Sequence, residues 1–200
     1  RLALMVPPGI DFVACVFGLF KAGITVILID PGMGRRNMIQ CLRQSSPDGI
    51  VGIGLAQLLR TLLLRDVRGC RHNVVVGKRW WPGCVSTTGF QRFEGSSFEP
   101  IDQSREAPAA IIFTTGSTGP PKGVLYRHRI FLEQSRMIRD YFDIQPGTVD
   151  VSGFPLFALF NGAMGTTTVF PQMDPTRPAE VDPLNILDAV ESFQADQSFG

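Results

Sequence analysis

Residues 113–123 read FTTGSTGPPKG and bring four hydroxyls, three glycines, two prolines and one lysine into eleven positions. These residue types in this order suit the holding of phosphate. Gly116, Gly119 and Gly123 allow close backbone approach and positive φ, with N–H groups aimed at an anion. The hydroxyls of Thr114, Thr115, Ser117 and Thr118 can donate to phosphate oxygens. Lys122 adds a compact cation with three donors. Pro120 and Pro121 limit the freedom of the loop.

The spacing is not that of a Walker A loop. That loop requires glycine directly before the lysine and a hydroxyl directly after it. Here Pro121 precedes Lys122 and Gly123 follows, which argues against a P-loop nucleotidase. A flexible Ser/Gly linker is the other reading of such composition. Linkers rarely join two strand-like runs, however, and this segment lies between AAIIFTT and GVLYRH.

The elements that must position the loop follow from periodicity. LALM predicts a short buried strand closed by Pro7 and Pro8. A helix capped by Asp11 runs to about Lys21 and stops at Gly23. TVILID is a second strand ended by Pro31 and Gly32, followed by a polar helix over about 34–44. DGIVGI is a third strand, LAQLLRTLLLRDV a helix and NVVVG a fourth strand. Strands alternating with helices of this length predict an α/β layered fold whose mostly parallel sheets are covered by helices. Residues 78–106 lack a clear period and read as an excursion. AAIIFTT then enters the phosphate loop and GVLYRH leaves it. RIFLEQSRMIRDYF predicts an amphipathic helix with Ile130, Met137, Ile138, Tyr141 and Phe142 on its apolar face. After a Gly-rich apolar stretch and the strand TTTVF, a last helix starts near Asp182 or Pro183. The chain divides into a first α/β part, 1–106, and a second, 107–200, that opens with the phosphate-loop strand.

Bulk properties narrow the functional classes. The 200 residues are 44% hydrophobic and 18% charged, with net charge +1. This is a globular composition without an electrostatic case for nucleic acid or an anionic membrane. Cys15, Cys41, Cys70 and Cys84 form no CxxC pair, and His72 and His128 do not complete a metal box with them. Reduced thiols in a cytoplasmic protein are expected. DFVACVFGLFKAGITVILID is interrupted by Lys21 and Gly23, short of the roughly 20 residues of a transmembrane span.

TTGSTGPPKG resembles the signature loop of the adenylate-forming superfamily, which includes acyl-CoA synthetases, luciferases and peptide-synthetase adenylation domains. The match runs through Thr114, Thr115, Gly116, Ser117, Thr118, Gly119, Pro121, Lys122 and Gly123. RHR beginning at Arg127, with His128 opening a helix, is usual there. So is the upstream block ALMVPPGIDFVACVFGLFKAGITVILIDPG. The resemblance implies part of the large N-terminal domain of such an enzyme. It also implies ATP-dependent, AMP-forming activation of a carboxylic acid, expected to be a fatty acid, with Mg²⁺. It assigns residues 114–123 to the ATP phosphates, Lys122 to catalysis as pyrophosphate leaves, and Thr115 to the metal. Coenzyme A is the expected acceptor. The resemblance further implies that the groups facing this loop follow residue 200, so the chain alone is expected to be inactive. A truncated homologue that binds nucleotide or acyl chain without catalysis is an alternative.

FPLFALFNGAMG falls where the family places an aromatic loop beside the acyl pocket, usually in the form PLFH. Ala158 stands at the histidine position. The resemblance assigns Phe157, Ala158, Phe160, Asn161 and Gly162 to the acid substrate; packing in a core is the plainer reading of such phenylalanines. PLFALF with FPQMDPTRPAEVDP resembles bacterial long-chain acyl ligases close to the β-lactone synthetases of olefin biosynthesis. Those activate a 3-hydroxy acid whose own hydroxyl closes the lactone, without coenzyme A. Arg127, His128 and Arg129 form a basic trio near the loop, read either as extra potential for ATP or as a solvated helix start.

Overall fold

The computed structural model describes residues 1–63, 70–77, 81–88, 90, 97–114, 120–174 and 177–199. They form two compact units, Arg1–Val6 with Ala14–Arg127, and Pro7–Val13 with His128–Gly200.

The first unit is built on strands β1 (Leu2–Met5), β2 (Val26–Ile29), β3 (Gly49–Gly52), β4 (His72–Val75), β5 (Val85–Ser86), β6 (Pro108–Thr114) and β7 (Lys122–Arg127). Their order in the sheet is β5-β4-β3-β1-β2-β6-β7. All pairs are parallel except β6 with β7. Helices α1 (Ile10–Lys21), α2 (Gly34–Ser45) and α3 (Gly54–Leu58) occupy the crossovers, and α3 continues into a single π-helical turn at Leu59–Leu63. The mostly parallel α/β reading of the sequence therefore holds. β5 lies inside the segment read as an excursion, because two residues are too few to show a period.

Registers explain why the strands are nearly all apolar. Ile50, Ala3, Ile27 and Ile111 align across four strands. With Phe113 from β6 and Met33, Cys41 and Leu42 from the α2 region, this row forms a buried core. Their neighbours Leu2, Leu4, Val26, Leu28, Val51, Ala110 and Ile112 point to the other face and are buried as well. Such two-sided burial is what makes a parallel strand read as a continuous apolar run. Gly23 ends α1 at φ 71, as the sequence predicts. Asp11 does not cap that helix. The helix begins one residue earlier, the Val13 N–H donates to the Gly9 carbonyl at 3.2 Å, and Asp11 stands in the first turn, where the helix dipole still favours it.

The second unit holds α4 (His128–Phe142), β8 (Val149–Ser152), α5 (Pro155–Met164), β9 (Thr167–Val169), α6 (Pro183–Phe193) and β10 (Gln197–Phe199). Its strands form a parallel sheet in the order β10-β8-β9. Val149 and Val151 point to a cluster with Val169, Ala189 and Val190. The side chain of Asp182 caps α6 by accepting the Leu184 N–H at 3.0 Å. The apolar face expected for α4 needs correction. Ser135 is its buried residue, and Met137, Tyr141 and Phe142 are exposed. α4 meets α5 through Phe131, whose ring lies 5.9 Å from that of Phe160. At 100° per residue, Tyr141 and Met137 stand roughly 80° and 120° away from Phe131 around the helix. No helix among the described residues is long and apolar enough to cross a membrane.

Candidate functional site

Residues 115–121 join the only antiparallel pair among the described strands. β6 and β7 form a hairpin in which Thr114 faces Lys122 and Phe113 faces Gly123. Thr114 closes β6 and Lys122 opens β7, so both stand at the mouth of the loop. Thr115, Gly116, Ser117, Thr118 and Gly119 lie outside the described residues. Pro120 is exposed and Pro121 buried, which anchors the loop's return. Lys122 is exposed and has no hydrogen bond or ion pair among the described residues.

The base of the loop is held from below. Phe113 belongs to the core under α2, and β6 is paired on both sides, to β2 and to β7. A segment that leaves a buried, doubly paired strand starts from a fixed position. Gly123 is not a positive-φ glycine, in contrast to the expectation for the loop glycines. It sits in strand conformation, and a Cβ there would come to 3.1 Å from Phe113 Cζ and from Ile111 Cγ2. Its smallness serves the ring of Phe113.

Arg127 stands at the far end of β7 from Lys122. It lies five residues past Lys122 in an extended strand, roughly 16 Å further on. There Arg127 donates to the Glu106 carbonyl at 2.6 Å, and its guanidinium lies 4.0 Å from the Glu106 carboxylate. It closes the base of the hairpin. Arg129 lies exposed in the first turn of α4. Partial burial of His128 pushes its imidazole below the ordinary histidine range, favouring the neutral ring.

The aromatic segment forms α5, with Gly165 at φ 77 turning the chain out of it. Phe157 and Phe160 are half-buried, Ala158 and Asn161 are buried, and Gly162 is exposed. Phe157 is the hub of the ring contacts. Its centroid lies 3.9 Å from Phe199, 5.7 Å from Phe154 and 6.1 Å from Phe160. Asn161 points inward to a buried polar group on β8. Its Nδ2 donates to Asp150 Oδ2 at 2.7 Å and to Ser152 Oγ at 3.1 Å, and the Ser152 hydroxyl donates to the same Asp150 oxygen. Sequence reasoning passed over Asp150 and Ser152. The signal was present as alternation, since polar residues at 150 and 152 interleave with Val149 and Val151.

A second buried polar group also escaped the sequence reading. Gln57 on α3 is fully buried. Its Nε2 donates to the carbonyls of Ile50 at 3.2 Å and Val74 at 2.9 Å, and its Oε1 accepts from Arg60 Nε at 2.9 Å. It ties the helix to two adjacent strands. All four cysteines are free thiols, and burial pushes Cys41 and Cys70 above the ordinary thiol range.

Comparison with known proteins agrees with this geometry. Residues 1–185 match the family model described as AMP-binding enzyme. Over 201 residues, taking in all of this chain, identity is 46% to an olefin beta-lactone synthetase of Xanthomonas campestris pv. campestris. It is 42% over 202 residues to an olefin beta-lactone synthetase of Stenotrophomonas maltophilia. The chain spans 36% of the length of each of these relatives. It also superposes on a long-chain-fatty-acid-CoA ligase from Archaeoglobus fulgidus with a TM-score of 0.82 at 20% identity, covering 98% of this chain and 39% of that one, a likeness of fold.

Proposed function

Because this chain belongs to the AMP-binding enzyme family, we propose that it supplies the phosphate-holding part of an ATP-dependent, AMP-forming acid ligase acting on a 3-hydroxy fatty acid. A carboxylate oxygen of the acid attacks the α-phosphorus of ATP. The bond from that phosphorus to the bridging oxygen breaks, and pyrophosphate leaves with the electron pair. The acid is left as an acyl-adenylate. Its 3-hydroxyl oxygen then attacks the acyl carbon and gives up its proton to solvent. AMP departs and a β-lactone remains.

In this reading the residues 114–123 hold the β- and γ-phosphates. The hydroxyls of Thr114, Thr115, Ser117 and Thr118 and the loop amides share their charge, and Lys122 offsets the charge that grows on pyrophosphate as it leaves. Mg²⁺ bound with ATP would neutralise further phosphate charge, with Thr115 as its contact from this chain. The hairpin suits that role, since an exposed lysine stands at the loop mouth on an anchored strand. Phe157, Phe160 and Gly162 would form the acyl side, with Ala158 buried behind them.

The observation that carries the lactone reading is the identity to two olefin beta-lactone synthetases across the whole chain. Product analysis tests it. The full-length natural protein is given ATP, Mg²⁺ and a 3-hydroxy fatty acid, with and without coenzyme A. Lactone with AMP and pyrophosphate in the absence of coenzyme A supports the reading. Product that forms only as an acyl thioester, and only with coenzyme A, replaces lactone closure by thiol transfer and leaves adenylation standing.

A further inference from the structure

Asn161 carries one of the acyl-side assignments, yet it is turned away from solvent. It is 3% exposed, and its amide nitrogen is spent on Asp150 and Ser152. Asp150 is 1% exposed, and its second oxygen, Oδ1, is buried with no hydrogen-bond partner among the described residues. A buried carboxylate with one oxygen unsatisfied costs stability. An apolar pair at 150 and 161 would pack α5 on β8 without that cost. The polar pair therefore adds something other than stability, and what a directional bond adds is a fixed orientation.

The rotation of α5 is fixed at two points. The first is the bond from Asn161 to Asp150. The second is Phe157, one turn earlier on nearly the same face, about 40° around the helix and about 6 Å along it. Phe157 stacks on Phe199 at 3.9 Å. Phe199 is held opposite Ser152 in the β8–β10 register, and its carbonyl accepts the Gly153 N–H at 2.8 Å. Ser152 in turn touches Asn161. These contacts close a ring through α5, β8 and β10. The azimuth of α5 thus sets where Phe157 and Phe160 stand.

We propose that Asn161 is a positioning residue: its buried bond to Asp150 fixes the rotation of α5, and with it the surface that Phe157 and Phe160 offer to the acyl chain. This rests on the acid-ligase reading given above.

Acid-dependent exchange of pyrophosphate into ATP by the full-length natural protein tests it, with KM measured separately for fatty acid and for ATP. Asn161→Leu removes the donor at similar volume. It raises the fatty-acid KM about tenfold, the worth of one buried hydrogen bond, and leaves the KM for ATP within about twofold. Asp150→Asn keeps an acceptor oxygen facing Asn161 and holds the fatty-acid KM within about threefold. If Asn161→Leu does not fold, Asn161→Ser, which keeps a shorter polar group, shows the same split at about half the effect on a logarithmic scale. Equal rises in both KM values, or a fall in kcat with both unchanged, mark a purely structural residue and overturn the proposal. So does a rise in Asp150→Asn equal to that in Asn161→Leu. A wild-type protein that exchanges with no fatty acid overturns the ligase reading and this inference together. Exchange in the wild type with an unmoved fatty-acid KM in the variants overturns this inference alone.

Discussion

The ring of Phe113 occupies the space where a side chain at Gly123 would stand, with its Cζ and Cε1 at 3.1 and 3.2 Å from the Cβ position. The two residues face each other across the β6–β7 hairpin. The relationship links the core to the loop, since Phe113 packs under α2 while its strand runs directly into residues 114–121. Gly123→Ala is expected to push the ring and cost about 1–3 kcal/mol, the usual penalty of overpacking. Denaturant unfolding measures it. Phe113→Leu removes the ring but leaves Ile111 Cγ2 at 3.1 Å, so Gly123→Ala should cost less in that variant than in the wild type. Additive costs would show that the ring does not set the requirement for glycine.

Gln57 is the polar hinge between α3 and the sheet. Gln57→Leu keeps the volume but leaves the carbonyls of Ile50 and Val74 and the Nε of Arg60 without their partner. The expected loss is about 2–3 kcal/mol. A loss under about 0.5 kcal/mol, the range of ordinary surface changes, would mean that these groups find other partners.

His128 gives the fold a pH dependence. Burial holds its imidazole below the ordinary value, so near neutral pH both the folded and unfolded chains carry it uncharged and its contribution is fully present. As pH falls below about 6.5 the unfolded chain takes up the proton first, and stability declines until the folded ring is protonated too. Denaturation midpoints at pH 7.5 and 5.5 should therefore differ more for the wild type than for His128→Gln. Equal differences would remove His128 from the pH response.

Much of this fold was legible because its strands are short and bounded by clear punctuation. Pro31 with Gly32 after β2, and Asp182 with Pro183 before α6, are signals that act locally. The expectation for residues 113–123 arose in the same way, from residue types that suggest phosphate chemistry without a distant partner. What escaped depends on distant pairing. The reason for Gly123 is a ring ten residues earlier, brought opposite by the hairpin. Arg127 reads as part of a basic trio until the register places it at the base of the hairpin beside Glu106. Met137 and Tyr141 satisfy a helical period, but the neighbouring helix meets a different stripe. Asp150, Ser152 and Asn161 were visible only as polar residues within apolar runs, and their meaning comes from the packing of α5 on β8.

On the proposed reading, the loop from Thr114 to Gly123 holds the phosphates of ATP while an acid is activated. The most direct measurement is acid-dependent exchange of labelled pyrophosphate into ATP by the full-length natural protein and by its Lys122→Ala variant. Lys122 is exposed and unpaired among the described residues, so the substitution should change stability by less than about 0.5 kcal/mol. The exchange rate should fall by about one to three orders of magnitude, on the scale of a lost transition-state contact. An equally stable variant that exchanges at the wild-type rate would contradict the account.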